Sequence, residues 1–453
     1  MPAPSTTLLI EGTFSELAEE FAAYLDALKS DEASIQNELT PLLQPLREQE
    51  QNDTQIDQSK RDEVLKTLVA AAEVLNSAPE KEITPAYNLL VHLVQQASDP
   101  DMFLSRICSY LAKPITSSPQ FGASLAIAIL STIFNTLAPS DSSRFHVLLA
   151  IVAVIRQSGS SIAFDALKPQ LTAQLPAWRS AWELDDEEAR RLHLAIADAA
   201  QAAGDLDWAQ THIVEALQTI PPAEASSPAA RDLAVRALTS ALTHPAVFDF
   251  TPLTAADAVQ ALRSSDPALF ELLEIFTADT LDAYEDFISS TPVASILPDN
   301  ALSPHADALQ TKIRLLTLAS LAAAATTTTG PSARSLSYET IASSLRVPQD
   351  EVEKWVIDTI RAGLVEGKLS QLRSEFLVHR ATYRVFGEKQ WAEVQGRLMV
   401  WRRSLENVLG VIRSERDRFA REAAAAAAAA AEEKNGGDKK TERRRPQEVA
   451  AAE

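Results

Sequence analysis

Helical segments of about 15 residues follow one another through most of this chain, each introduced by a capping or chain-breaking residue. Glycine is scarce, with 12 residues among 453, whereas alanine and leucine are abundant. Sheets depend on turns that favour glycine, while helices favour alanine, leucine and glutamate. The pattern therefore predicts a mainly α-helical protein and argues against β-sandwiches and doubly wound α/β folds. The segments begin at Asp62, Thr84, Asp99, Asp141, Ser160, Asp185 and Asp205.

The spacing of these starts indicates a helical repeat. Starts recur about every 20 residues, so two helices make a unit of about 40 residues, which is the length of helical solenoid repeats. The clearest pair is 186–203 with 205–220, where Gly204 ends the first helix and Asp205 can cap the second. We therefore expect stacked helical repeats over residues 62–304.

The N-terminal part is predicted to form a helical segment over residues 1–46. Thr13 and Glu16 have the spacing of a capping box, and Phe14 begins an apolar stripe on one helical face. Residues 47–61 contain almost nothing that a core could bury, so they are predicted to be a linker.

Residues 305–386 are predicted to form a winged helix. Three helical segments are followed, over 364–380, by an alternation of apolar and polar residues that predicts a β-hairpin. Three helices and a hairpin are the elements of a winged helix. The helical segments cover 309–325, 336–347 and 349–363.

A strict heptad pattern marks a C-terminal helix, predicted over 387–421. Gaps of three and four residues alternate between its apolar positions, as in helices of bundles and coiled coils. The seam is longer than about 30 Å, more than a winged helix can cover, so its C-terminal part is predicted to contact a partner. Residues 422–453 are predicted to be a disordered low-complexity tail, helical at most in its polyalanine part at 423–431. The seam positions are Trp391, Val394, Leu398, Trp401, Leu405, Val408 and Ile412.

The candidate partner interface combines this seam with the predicted hairpin, because a hairpin with an open edge can accept a further strand. Its residues are Lys368, Leu369, Phe376, Val378, Trp401, Leu405, Val408, Ile412 and Phe419.

The charge distribution argues against direct contact with nucleic acid. The chain carries a net charge of −21, although residues 361–453 hold 19 Lys and Arg against 14 Asp and Glu. An acidic body repels phosphate backbones. The segment 349–362, in the place of a recognition helix, has four acidic residues against Lys354 and Arg361, whereas a helix in the major groove carries cations. Nucleic-acid binding is therefore predicted to be weak or absent.

Motifs of catalysis and cofactor binding are absent from the sequence. It contains no GxxxxGK[ST] or GxGxxG phosphate-binding loop and no HExxH zinc motif. Cys108 is the single cysteine, so no intramolecular disulfide can form. We predict no catalytic, cofactor-binding or metal-binding residue, no cofactor and no enzymatic activity.

Two of the seven histidines, His193 and His212, could meet across the turn at Gly204. A pair of metal ligands would also need a carboxylate or thiolate in its company. The two histidines are therefore interpreted as helix-surface or packing residues.

The order of these parts resembles the PCI domain proteins, which are scaffolding subunits of the proteasome lid, the COP9 signalosome and eukaryotic translation initiation factor three. The resemblance is carried by residues 336–401, above all DEVEKWVIDTIRAGLVEGKLSQ and HRATYRVFG with the following Gln390 and Trp391, and by the opening helix from Phe14 to Leu28. It extends over about residues 8–420 and is strongest for the initiation factor.

The resemblance implies a PCI module in which residues 185–304 complete the winged helix. It implies a non-catalytic, cytoplasmic scaffold subunit of initiation factor three, which supports assembly on the 40S ribosomal subunit and recruitment of mRNA and initiator tRNA. Its partners would be other PCI and MPN subunits, contacted through winged-helix edges and a bundle of C-terminal helices.

Two alternatives remain at this point. One is the equivalent subunit of the COP9 signalosome or the proteasome lid, and the other is a free winged-helix protein that binds nucleic acid. No contact with a membrane is expected, because the longest apolar stretches fall well below about 18 residues.

Overall fold

The computed structural model describes residues 10–29, 34–52, 57–297, 302–327, 334–385 and 387–441. These residues fall into two compact units, one ending at Thr382 and the other beginning at Tyr383. The first unit contains the helical repeats and the winged helix, and the second contains the C-terminal helix.

Three helices open the first unit: α1 (Phe14–Leu28), α2 (Ile35–Gln51) and α3 (Gln58–Ala71). The predicted capping box is present at α1. The Thr13 hydroxyl accepts a hydrogen bond from the Glu16 amide, and the Glu16 carboxylate accepts one from the Thr13 amide. These bonds satisfy two of the amides that a helix start leaves without intrahelical partners.

The predicted linker over residues 47–61 is wrong for most of its length, because α2 continues to Gln51 and α3 already begins at Gln58. Polar contacts stabilise this stretch in place of apolar burial. The Ser15 hydroxyl donates to the Glu50 carboxylate at 2.6 Å, and Arg61 pairs with the same carboxylate at 3.4 Å. Residues 53–56 lie outside the described part of the chain.

The helical repeats continue the same core. Caps begin several of these helices, and α1 to α10 share one continuous apolar cluster. The helices are α4 (Glu80–Val94), α5 (Pro100–Leu111), α6 (Gly122–Thr136), α7 (Ser143–Ser158), α8 (Ser161–Ala181), α9 (Asp186–Ala203), α10 (Leu206–Gln218) and α11 (Pro228–Thr243). Short 3-10 helices cover Ala72–Ser77, Pro222–Glu224, Ser303–His305 and Gln349–Glu351.

The predicted pair α9 and α10 is present, with the turn chemistry that the sequence indicates. Gly204 has φ of +86°, a left-handed conformation that glycine adopts without steric cost. The Asp205 carboxylate then accepts a hydrogen bond from the Trp208 amide at 3.1 Å and caps α10. The two helices therefore turn back on each other within two residues.

Shorter helices follow as far as the long helix α17. Arg231 on α11 holds the Asp266 carboxylate with two hydrogen bonds of 2.7 Å, at the junction of α13 and α14. The helices are α12 (Thr251–Thr254), α13 (Asp257–Ser265), α14 (Pro267–Ala278), α15 (Leu281–Ser290), α16 (Val293–Ile296) and α17 (Ala306–Thr327).

The winged helix is built on α17. Its further elements are β1 (Ser335–Ser337), α18 (Tyr338–Leu345), α19 (Val352–Arg361), β2 (Val365–Ser370) and β3 (Glu375–Ala381). The strands form an antiparallel sheet in the order β1–β3–β2. The hairpin was predicted, but β1 was not, because residues 335–337 were included in a helix or loop.

The C-terminal helix α20 (Glu388–Thr441) is longer than predicted. In residues 422–441 the sequence predicts helix at most in the polyalanine part, and the continuation of α20 beyond that part to Thr441 corrects this expectation. Alanine has the highest helix propensity, so the run at 423–431 propagates the helix. An Arg418–Glu422 ion pair at 3.3 Å, one helical turn apart, supports the junction. The predicted tail from residue 442 onward lies outside the described residues.

Among the helices described, none combines the length and apolar character that crossing a membrane requires.

Lys312 on α17 is a buried charge-bearing residue that joins two helices. It is 3% exposed. Its Nζ donates hydrogen bonds to the carbonyl oxygens of Ala241 at 2.6 Å, Leu242 at 3.3 Å and His244 at 2.8 Å. These carbonyls belong to the end of α11, where a helix leaves acceptors unsatisfied. Burial lowers the pKa of the Lys312 ammonium to about 7.

Replacing Lys312 by methionine keeps the apolar stem and removes the donors. The carbonyl oxygens at the end of α11 would then be buried without partners, and we expect a loss of about 2–4 kcal/mol in the free energy of unfolding. The measurement is the midpoint of urea unfolding. Lys354→Met, at an exposed position on α19, is the control and should leave the midpoint nearly unchanged. Equal midpoints for the two variants would contradict the assigned role.

Candidate functional site

The apolar heptad positions of α20 are open to solvent. Trp401 is 62% exposed, Leu405 44% and Ile412 57%, whereas Val394 is half-buried. Large apolar side chains at this exposure are unusual on a soluble surface and mark contact sites when they are contiguous. The other exposed apolar seam residues are Trp391, Leu398, Val408 and Phe419.

The face is wider than a heptad seam alone. Leu409 and Val411 flank it on its two sides and are also exposed. In two-stranded coiled coils these flanking positions carry charges, whereas apolar flanks are typical of helices that pack against more than one neighbour. The predicted seam does not include Leu409 and Val411, because only positions with the heptad spacing were assigned to it.

Two residues of the winged helix that are predicted to lie at the interface are buried, so the prediction is wrong for them. Phe376 and Val378 are 0% and 1% exposed, and both belong to the core beneath the sheet. Side chains alternate between the faces of a strand, so Leu377 between them points outward and is 37% exposed. Phe376, Leu377 and Val378 are all apolar, so the sequence alone does not show which of them face the core.

The other two predicted residues of the hairpin are available for contact. Lys368 is exposed and lies opposite Leu377 in the pairing of β2 with β3. Leu369 is half-buried. Among the described strands none pairs with the second edge of β2. Leu377, Lys368 and the open edge of β2 therefore form one continuous surface, which we name the wing surface.

Helix α19 keeps its acidic character in the structure. Glu353 accepts hydrogen bonds from Tyr338 at 3.2 Å and Gln371 at 3.0 Å, so its carboxylate helps to fix the wing. Arg380 on the wing pairs with Glu366 at 3.2 Å. The cation of Arg380 therefore has an acidic partner on the wing, and α19 lacks the cationic surface of a recognition helix.

His193 and His212 do meet, and they meet a carboxylate. The Nδ1 atoms of the two rings lie 3.0 Å apart, and each lies 3.0 Å from Oε2 of Glu215. His193 is 8% exposed and His212 5%. The histidines hold the pKa of the Glu215 carboxyl well below its ordinary range by hydrogen bonding to it. Glu215 was not among the residues predicted from the sequence, although its spacing of three residues from His212 places both on one helical face.

Comparison with known proteins identifies matching families. The PCI domain model matches residues 291–379, and the model described as the C-terminal helix of eIF3 subunit M matches residues 384–412. The first extends from α16 into β3, and the second covers most of the exposed apolar face of α20.

Curated relatives match over almost the whole length. A protein of Emericella nidulans named eukaryotic translation initiation factor 3 subunit M is 92% identical over 425 residues, which are 94% of this chain and 93% of that protein. Proteins of the same name from Aspergillus terreus and Coccidioides immitis are 78% and 64% identical. Each match covers 93% of this chain, and 90% and 91% of the respective relative.

Helical repeats, a winged helix and a C-terminal helix with an exposed apolar face thus occur in one chain, and relatives of at least 64% identity match over that length. The chain belongs to the eukaryotic translation initiation factor 3 subunit M family.

Proposed function

We propose that this chain is a non-catalytic scaffold subunit of the translation initiation factor 3 complex and acts in the cytoplasm. In that complex it would support assembly on the 40S ribosomal subunit and so promote recruitment of mRNA and initiator tRNA. The observation that carries the proposal is the exposed apolar face of α20, which has the chemistry of a helix that other helices cover.

The size of this face supports a protein partner. Burying one Leu or Val side chain contributes about 1.5–3 kcal/mol relative to leaving it in water. Leu405, Val408, Leu409 and Ile412 lie within two turns of one another and are all exposed. Their combined burial is enough to offset part of the entropy lost on association. Apolar residues on both flanks favour insertion between two neighbouring helices.

The wing surface supports a second contact. Addition of a strand to the edge of β2 would satisfy its outward amides and carbonyls, and Leu377 and Lys368 would lie beside the added strand. Other PCI and MPN subunits of the complex are the proposed partners at both surfaces.

The charges on α19 and on the wing also fit a subunit that neither catalyses a reaction nor reads a nucleic-acid sequence directly. The acidic α19 and the Arg380–Glu366 pair disfavour phosphate contact, so any link to RNA would run through the complex.

Copurification of the full chain with tagged subunits, followed by mass spectrometry, tests the assignment to the initiation factor 3 complex. Recovery of signalosome or proteasome-lid subunits in place of initiation factor subunits would contradict it.

Changing Leu405 and Val408 together to aspartate tests the α20 face. Each unpaired charge buried at the contact is expected to cost about 3–5 kcal/mol, which would abolish incorporation into the complex. Both residues are exposed in the isolated chain, so its thermal melt should not change. The measurements are a pull-down with the other subunits and a thermal melt of the variant alone.

Asn407→Asp with Ser414→Asp is the matched control, because it adds the same two charges at exposed positions outside the seam. It should incorporate normally. Incorporation of the Leu405 and Val408 variant at the control level would remove this face from the interface.

Duplex DNA should bind the full chain only weakly at physiological salt, with no dependence on sequence. The physical reason is the net charge of −21 together with an acidic α19. Fluorescence anisotropy over a range of salt concentrations measures this. Sub-micromolar, sequence-specific binding with a steep salt dependence would contradict the expectation.

A further inference from the structure

The cluster of His193, His212 and Glu215 lies inside the helical repeats and plays no part in the proposed function. His193 is on α9, and the other two residues are one turn apart on α10. Because α9 and α10 are joined by a two-residue turn and pack against each other, two rigid helices hold the three side chains. Preorganisation of this kind reduces the entropy cost of binding a ligand.

Hydrogen bonds from the two histidines to an ionised Glu215 satisfy this arrangement only in part. Each pair among the two Nδ1 atoms and Oε2 of Glu215 is separated by 3.0 Å. If both nitrogens carry protons, each can donate to the carboxylate, but the two N–H groups of the stacked rings then lie side by side with their nitrogens only 3.0 Å apart. If only one nitrogen carries a proton, the other directs its lone pair at the carboxylate oxygen. With Glu215 ionised, each of these assignments leaves one unfavourable contact, either between two N–H groups or between a lone pair and the carboxylate.

A cation at the centre would remove the conflict, because all three atoms would direct lone pairs at it. We propose that His193, His212 and Glu215 form a binding site for a divalent transition-metal ion, with zinc as the ion that fits the ligands best. Imidazole nitrogen suits zinc and related metals, whereas magnesium and calcium prefer sites made of oxygen atoms.

The spacing of the ligand atoms fits such an ion after a small adjustment. Zinc lies about 2.0–2.1 Å from imidazole nitrogen and at similar distances from carboxylate oxygen. Tetrahedral ligands at these distances are about 3.3–3.4 Å apart, so each of the three atoms needs to move outward by only about 0.2 Å. Small side-chain rotations produce a shift of this size, and Glu215 rotates most freely of the three because its side chain is 45% exposed.

The surroundings define the fourth ligand position. His193 and Glu215 line an open cleft of about 750 Å³ between the ends of α8, α9 and α10. On the other side, the ring of Trp208 packs on His212 with centroids 4.8 Å apart and limits its movement. Two histidines and a carboxylate with the fourth position facing a cleft would leave that position to water. The metal would join α9 to α10 and stabilise this repeat.

The test uses untagged full-length protein stripped with a chelator. We expect wild-type protein to bind one zinc ion per chain with sub-micromolar affinity in a chelator-competition titration, and its melting temperature to rise with zinc. Cobalt(II) added in place of zinc should give a visible absorption spectrum of tetrahedral intensity.

Two variants locate the site. Glu215→Gln, at a half-exposed position, should weaken zinc binding by at least about 10-fold without loss of folding, and His212→Gln should weaken it by at least about 100-fold. His379→Gln, at an exposed position on β3, is the control and should bind like wild type. Absence of stoichiometric binding by wild type, or equal binding by Glu215→Gln and the control, would overturn the proposal.

Discussion

Stacking of each helix pair on the next is the constraint on which the rest of the structure depends. Helices α9, α10 and α17 provide the continuity. In α9, Ile196 belongs to the first apolar core and Ala197 to the second. In α10, Ala209 belongs to the first apolar core and Ile213 to the second. In α17, Leu316 belongs to the second core and Leu318 to the third, beneath the winged helix. A change that rotates α10 or α17 would therefore disturb two cores at once, and Lys312 fixes α17 against the end of α11.

The sequence predicts those parts of the fold that local chemistry determines. The capping box at Thr13, the Gly204 turn and the helix pattern each depend on residues within one or two turns, so they can be recognised without the tertiary structure. Errors arise where local chemistry permits two structures. Phe376, Leu377 and Val378 are all apolar, and only packing on α17 decides which of them face the core. Residues 47–61 are polar but helical at both ends, because Glu50 is bound by Ser15 on α1 and by Arg61 on α3, contacts that need the helices to pack together.

The cluster of His193, His212 and Glu215 could be predicted only in part, for a different reason. His193 and His212 could be paired from the helical hairpin, and Glu215 lies one turn beyond His212. Glutamate is common on exposed helix faces, so its presence alone indicates nothing. Only the angle at which α9 packs on α10 directs the carboxylate to the two rings, and that angle is set by side chains throughout both helices.

The uninterrupted course of α20 has a geometric consequence. From Ile412, at the end of the heptad seam, to Thr441 the helix extends for 29 residues, which is about 43 Å at 1.5 Å per residue. The polyalanine run within it has no side chain long enough to bind a partner strongly, and its high helix propensity resists bending. The polyalanine run at 423–431 alone would therefore separate the residues after it from the apolar face by about 14 Å along the helix axis.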